Sequence, residues 1–310
     1  MWRKIVDQPS QWEARKRSLF WRDPQLTSLN LLETNNTSLD DNSRNLVAQC
    51  YLLERAWKNQ HALTRKTFES LPLSLSFDSV HDRLALGLND GSLQVYAIRA
   101  HQSFPICSYQ CHSKGVKAVL LCLDYGIILT GSYDHSIRLW KLVDNTLQLM
   151  QTVEEHTDGV WDLQRDKEVM EIQPWVVSAG LDGRILLMRY DREKIALDIE
   201  AQWKIEKEEF TCVAICWSRG IITAGGDSGQ VLVARLIDSD RKGILKHRHG
   251  VSGIAFLPSR SYMGSDWDGL LITASHDCNL RLWDIDNETC LAVISGHRDS
   301  IRSMDLSFTR

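Results

Sequence analysis

The amino-acid sequence predicts an all-β fold over most of its length, a propeller of four-stranded blades, with an α-helical segment ahead of it. Two observations carry the prediction. Five segments share one pattern: LALGLNDGSLQVYAI, LTGSYDHSIRLWKL, VSAGLDGRILLMRY, TAGGDSGQVLVARL and TASHDCNLRLWDI. Each is a β-prone run, a polar turn centred on Asp and a second β-prone run, which together spell a hairpin. The turn residues Asp90, Asp134, Asp182, Asp227 and Asp277 are spaced by 44, 48, 45 and 50 residues, close to the length of one propeller blade.

Further positions lock to these aspartates. Four residues before them stand Thr130, Ser178, Thr223 and Thr273, with Leu86 in the first segment. Six residues after them stand Trp140 and Trp283, and otherwise Tyr96, Met188 or Val233. A third mark, His-x-x-(Gly/Ser)-(Val/Ile), occurs at His112, His156, His247 and His297, and Glu206 holds that place before the fourth hairpin. The runs VKAVLLCL, VWDLQRDK, FTCVAICW and VSGIAFLP read as the inner strands, and IRSMDLSF as one more at the C-terminal end.

RLWK (138–141), RLWD (281–284) and SGH (295–297) resemble the marks of the WD-repeat family, and the resemblance covers residues 67–310. It implies that the His, the Ser/Thr, the Asp and the Trp of one blade form a buried hydrogen-bond chain, as buried polar groups need. The set is full in the second blade (His112, Thr130, Asp134, Trp140) and the fifth (His247, Thr273, Asp277, Trp283). The third blade lacks its Trp, the fourth lacks both His and Trp, and the first has little beyond Asp90. The expected architecture is a WD-repeat β-propeller of five complete blades plus one strand. Because a propeller hides its edges by closing, the chain is expected to stop short of its natural end.

Residues 1–66 differ in kind. WRKIVDQPSQWEARK resembles the tail of an F-box, with Trp2 and Trp12 as its aromatic marks and residues 1–20 as a partial remnant. Residues 21–66 then read as a polar linker and a helix, in which Leu46, Tyr51, Leu53, Trp57 and Leu63 recur at near-helical spacing. The third domain is the propeller, residues 67–310.

Composition excludes several classes of function. The net charge of −4 comes from 36 basic and 40 acidic residues without a block of either sign, so neither nucleic acid nor a membrane surface is an expected partner. The eight cysteines include no C-x-x-C pair and read as core thiols in a reducing compartment, so the expected location is cytoplasmic or nuclear. The recurring His, Ser/Thr and Asp imitate a hydrolase triad, but a catalytic site does not occur once per blade. AGGDSGQ (224–230) has no following Lys and is no phosphate loop. GSDWDG (264–269) lacks the closing Glu of a calcium loop and reads as a turn. No catalysis, no cofactor and no metal are expected.

Loops held on a rigid scaffold are where binding residues concentrate. In F-box proteins of the WD-repeat type two repeat positions read the substrate, one after the Val/Ile that opens the inner strand and one before the turn Asp. The resemblance implies Lys117, Trp161, Thr211, Ser252 and Arg302 for the first position, and Asn89, Tyr133, Leu181, Gly226 and His276 for the second. Lys117, Tyr133, Trp161, His276 and Arg302 are the expected binding residues: the two cations for an anionic group and the two aromatics as an anchor. The function implied is the substrate receptor of a cullin ubiquitin ligase, partnered by the Skp adaptor, the cullin and a target protein or peptide. The alternative is a non-catalytic WD-repeat scaffold with no ubiquitin role.

Overall fold

A computed structural model describes residues 69–99, 102–165, 174–236, 242–257 and 270–304. The expected F-box remnant with Trp2 and Trp12, the linker and the helix lie outside the described residues. The blades belong to one compact unit, Thr67–Leu306.

Among the described residues twenty strands form five four-stranded antiparallel sheets, each in simple sequential order. The first blade comprises β1 (Pro72–Asp78), β2 (Arg83–Leu88), β3 (Ser92–Arg99) and β4 (Gln102–Gln110). The second comprises β5 (Val116–Cys122), β6 (Ile127–Ser132), β7 (Ile137–Val143) and β8 (Thr146–Val153). The third comprises β9 (Val160–Arg165), β10 (Trp175–Gly180), β11 (Arg184–Asp191) and β12 (Ala196–Lys204). In the fourth are β13 (Phe210–Cys216), β14 (Ile221–Gly226), β15 (Gln230–Arg235) and β16 (Lys242–Lys246). The fifth holds β17 (Val251–Phe256), β18 (Leu270–Ser275), β19 (Asn279–Asp284) and β20 (Thr289–Ser295).

The first strands stand side by side, β1 against β5, β5 against β9, β9 against β13 and β13 against β17. The apolar pattern of the middle strands explains the stacking. Alternate side chains of a strand point to opposite faces, and in β6 both faces are buried. Ile127 and Leu129 join the layer shared with Val176 and Met188 of the third blade. Ile128 and Trp140 join the layer shared with Leu93 and Val95 of the first. The same holds one blade on, where Ile185 and Val177 meet Val213 and Ile222, and again where Val231 and Val233 meet Leu271 and Trp283. Each apolar layer therefore lies between consecutive blades, and burial of each large side chain contributes about 1.5–3 kcal/mol.

The antiparallel order gathers the loops of every blade into two sets. At one end lie the turn between the second and third strands and the connection entering the blade. At the other lie the remaining turns, among them the two short 3-10 turns Leu123–Tyr125 and Trp217–Arg219. There Trp175 stacks on Trp217 with ring centroids 4.2 Å apart.

The C-terminal run continues the row without pairing as a strand over residues 301–304. Buried Ile301 accepts a hydrogen bond at its carbonyl from Ser252 Oγ at 2.5 Å, and its N–H donates to the Ser275 carbonyl at 3.4 Å. The rest of IRSMDLSF lies outside the described residues.

Candidate binding face

Each blade is tied at its loop end by polar side chains, and the ties differ with the sequence. In the second blade Trp140 Nε1–H donates to Thr130 Oγ1 at 2.9 Å, and Thr130 lies 2.7 Å from His112 Nε2. His112 Nδ1 in turn lies 3.0 Å from Asp134 Oδ2. With His112 neutral and protonated on Nδ1, every donor in this chain meets an acceptor. Burial does hold the His112 imidazole below its ordinary pKa, although Asp134 pulls the other way. Burial pushes the Asp134 carboxyl up, but Ser136, His112 and the Ser113 N–H outweigh it and bring it to about 2. The fifth blade repeats the chain: Trp283 to Thr273 at 2.8 Å, Thr273 to His247 at 2.6 Å and His247 to Asp277 at 3.1 Å. In the third blade His156 joins Ser178 and Asp182 at 2.9 and 3.0 Å, and Met188 offers no donor.

The fourth blade departs from the spacing by one residue. Each hairpin has one left-handed residue directly after its turn aspartate: Gly91, His135, Gly183 and Cys278. In the fourth the left-handed residue is Gly229, so Ser228, not Asp227, stands in the aspartate's place. The strand register agrees, because Ala224 faces Leu232 as Thr273 faces Arg281. Thr223 is thereby turned to the other face, where its buried Oγ1 has no hydrogen-bond partner. The tie is made instead by Glu208, which accepts from Ser228 N at 3.1 Å and from Ser228 Oγ at 2.5 Å. Glu206, which spacing put in the histidine's place, is exposed and pairs with Lys204 at 2.7 Å. The residue before the turn position is correspondingly exposed Asp227, not Gly226.

The position after the strand-opening residue has a geometry of its own. All five first strands break register there: between Pro72 and Ser74, Val116 and Ala118, Val160 and Asp162, Phe210 and Cys212, and Val251 and Gly253. Leu73, Lys117, Trp161, Thr211 and Ser252 are therefore bulge residues, released from the ladder at the loop end. A bulge re-aims the side chain it carries.

These side chains divide into two kinds. The Thr211 hydroxyl reaches across to the Val251 carbonyl that opens the fifth blade, and the Ser252 hydroxyl to the Ile301 carbonyl of the C-terminal run. They tie blades together. Lys117 and Trp161 do something else: the Lys117 ammonium lies 4.5 Å above the Trp161 ring. Tyr133 meets the same indole edge to face, with centroids 5.6 Å apart and planes at 76°. Thus the sequence positions from two blades converge on one partly exposed cluster of Lys117, Tyr133 and Trp161. His276 and exposed Arg302 lie elsewhere, beyond the fifth blade's bulge, and Ser300 Oγ reaches the His276 carbonyl at 3.5 Å.

Asp162, which follows Trp161, completes the cluster and has no distinguishing sequence mark. Its carboxylate accepts from Leu163 N at 2.8 Å, Val213 N at 3.0 Å and Gln164 Nε2 at 3.3 Å, joining the third blade to the fourth. Burial pushes this carboxyl up to about 6, against the pull of those donors and of Lys117. Burial likewise draws the Lys117 amine below its ordinary range, and Asp162 partly restores it. Cys111 beside His112 is no metal ligand pair: both His112 nitrogens are engaged, and burial pushes the Cys111 thiol up to about 12. Among the described residues no group of three His, Cys, Asp or Glu side chains is placed to hold a metal ion.

Repeated blades, the His–Ser/Thr–Asp ties and the bulged first strands define a WD-repeat β-propeller fold. Residues 103–141 and 240–284 match the WD40 family, described as WD domain, G-beta repeat. Human Striatin-4 is similar at 23% identity over 73% of this chain and 37% of that protein. Elongator complex protein 2 of Saccharomyces cerevisiae is similar at 26% identity over 56% of this chain and 23% of that protein. Nuclear distribution protein PAC1 of Fusarium vanettenii is 39% identical over 61 residues, 20% of this chain and 14% of that protein. The chain thus spans little more than a third of the first of these relatives.

Proposed function

We propose that this chain is a non-catalytic protein-interaction platform that binds a partner on the loop end of its blades, centred on Lys117, Tyr133 and Trp161. The observation that carries this reading is the convergence of a cation and two aromatics, from bulge and turn positions of adjacent blades, on one partly exposed patch. Aromatic anchors of this kind contribute much of the affinity at protein interfaces. The chemistry around them serves binding: the polar sets that imitate a triad are buried ties within blades, occupied on both histidine nitrogens. A relative named as a protein of a complex, Elongator complex protein 2, fits the same role. His276 and Arg302 form a separate flank of the face, available to a partner longer than the cluster.

Affinity capture with the full chain tests the proposal. Partners retained stoichiometrically should be lost from Trp161→Ala, with the circular dichroism spectrum and melting temperature of the variant preserved. An identical set of partners on Trp161→Ala and on Arg302→Ala would remove the face from the reading.

A second reading rests on the F-box-like tail at Trp2 and Trp12: a substrate receptor of an SCF-type cullin ubiquitin ligase. None of the relatives named above is named for a ubiquitin ligase, which favours the scaffold. Co-expression with the Skp adaptor separates the two. A stoichiometric complex abolished by Trp2→Ala with Trp12→Ala supports the receptor, and its absence leaves the scaffold.

A further inference from the structure

Lys117 is placed unusually for a surface lysine. It is the bulge residue of β5, it is partly buried, and its ammonium rests on an indole. Among the described residues its Nζ has no hydrogen-bond acceptor and no ion-pair partner within reach. The ammonium is half desolvated by its seat on the indole, and its remaining N–H donors are open to solvent, where a ligand oxygen can accept from them. The neighbouring carboxylate of Asp162 is engaged by Leu163, Val213 and Gln164 and does not supply that oxygen.

We propose that the Lys117–Trp161–Tyr133 cluster reads a glutamate or aspartate side chain of a partner peptide, with Asp162 as a built-in electrostatic competitor. The inference rests on the binding face put forward above and names its ligand chemistry. The carboxylate accepts from Lys117 Nζ, and the apolar stem of the same residue or its neighbour lies on Trp161 and Tyr133. A single cation beside a buried carboxyl suits a monoanion, whereas a doubly charged phosphate would meet the full repulsion of Asp162 without a second cation to balance it. Ionised Asp162 screens Lys117 at neutral pH, and protonation near pH 6 removes that screen. Capture of an acidic peptide therefore strengthens on acidification.

The groups facing Asp162 are Lys117 on β5, Gln164 on its own strand, and the Val213 amide with the Cys212 thiol on β13. His135 and His276 stand elsewhere on the face, so the Asp162 contribution is isolated by substitution.

The probes are fluorescein-labelled peptides of equal length, one with glutamate among leucines, one with phosphoserine replacing the glutamate, and one with glutamine. Binding to the full chain is read by fluorescence anisotropy at pH 5.5 and 7.5. The glutamate peptide should bind about three- to fivefold more tightly at pH 5.5, in keeping with one partly exposed charge pair. Asp162→Asn should bind at pH 7.5 as the unaltered chain does at pH 5.5, with most of the pH dependence gone. Lys117→Met should bind glutamate and glutamine peptides equally. Where Asp162→Asn fails to fold, the pH ratio of the unaltered chain against that of Lys117→Met decides instead. Equal affinity for glutamate and glutamine peptides, or tighter binding of the phosphoserine peptide, overturns the proposal. If at the same time Trp161→Ala still loses its captured partners, the binding face survives and only its ligand chemistry falls.

Discussion

Trp140, Thr130, His112 and Asp134 show how four side chains, each costly to bury alone, are made cheap together. The indole N–H, the hydroxyl and the two imidazole nitrogens each find a complement, and the carboxylate closes the chain. Thr130→Val removes the hinge of that sequence and leaves Trp140 Nε1–H and His112 Nε2 buried without partners. The expected loss is about 2–3 kcal/mol of stability, measured by urea unfolding. Thr223 is the converse case. Its hydroxyl is buried without a partner, so Thr223→Val should leave stability unchanged or raise it by about 1 kcal/mol. A loss from Thr223→Val as large as that from Thr130→Val would show that the fourth blade is in the same register as the second.

At the scale of the element, the hairpins and first strands were legible because period-two patterns and turn chemistry are local properties. Asp134 and Asp277 announce their turns, and the runs VKAVLLCL and FTCVAICW announce β5 and β13. The fourth hairpin shows where local legibility ends. AGGDSGQ offers both Asp227 and Ser228 to the turn, and the spacing to Thr223 favours the aspartate. The fold prefers Ser228 because Gly229 can then take the left-handed turn conformation, and because Glu208 reaches the serine. The bulges were legible only as a repeat position. That Thr211 and Ser252 tie blades while Lys117 and Trp161 meet each other follows from what stands opposite in the next blade, which no single segment contains. Asp162 escaped notice for the same reason: its partner Val213 is 51 residues away.

At the scale of the whole molecule, stability is distributed over similar layers between blades, with the loop-end ties setting its response to acid. The Asp134 and Asp182 carboxyls are held at about 2 against an ordinary 3.8. In both, burial acts upward. At Asp134 the Ser136 hydroxyl, His112 and the Ser113 and Ser136 N–H groups outweigh it, and at Asp182 His156 with the Thr157 and Arg184 N–H groups does so. Because the folded pKa values lie below the unfolded ones, the folded protein binds fewer protons in this window. Each group contributes on the order of 2 kcal/mol above pH 4, and the contribution disappears as pH falls from 4 to 2. The urea midpoint should therefore fall steeply across that interval. It should fall less steeply in the Asp134→Asn, Asp182→Asn double variant.

The same repetition that spreads stability also presents one bulge residue per blade at one end of the sheets, and this is the end proposed as the binding face. Amide hydrogen exchange of the full chain, free and bound to a captured partner, tests this most directly. The expected result is slowed exchange confined to the loop end, at residues 114–117, 133–135 and 159–163. Protection at the opposite end instead, around Tyr125, Trp175 and Trp217, would contradict the assignment of the face.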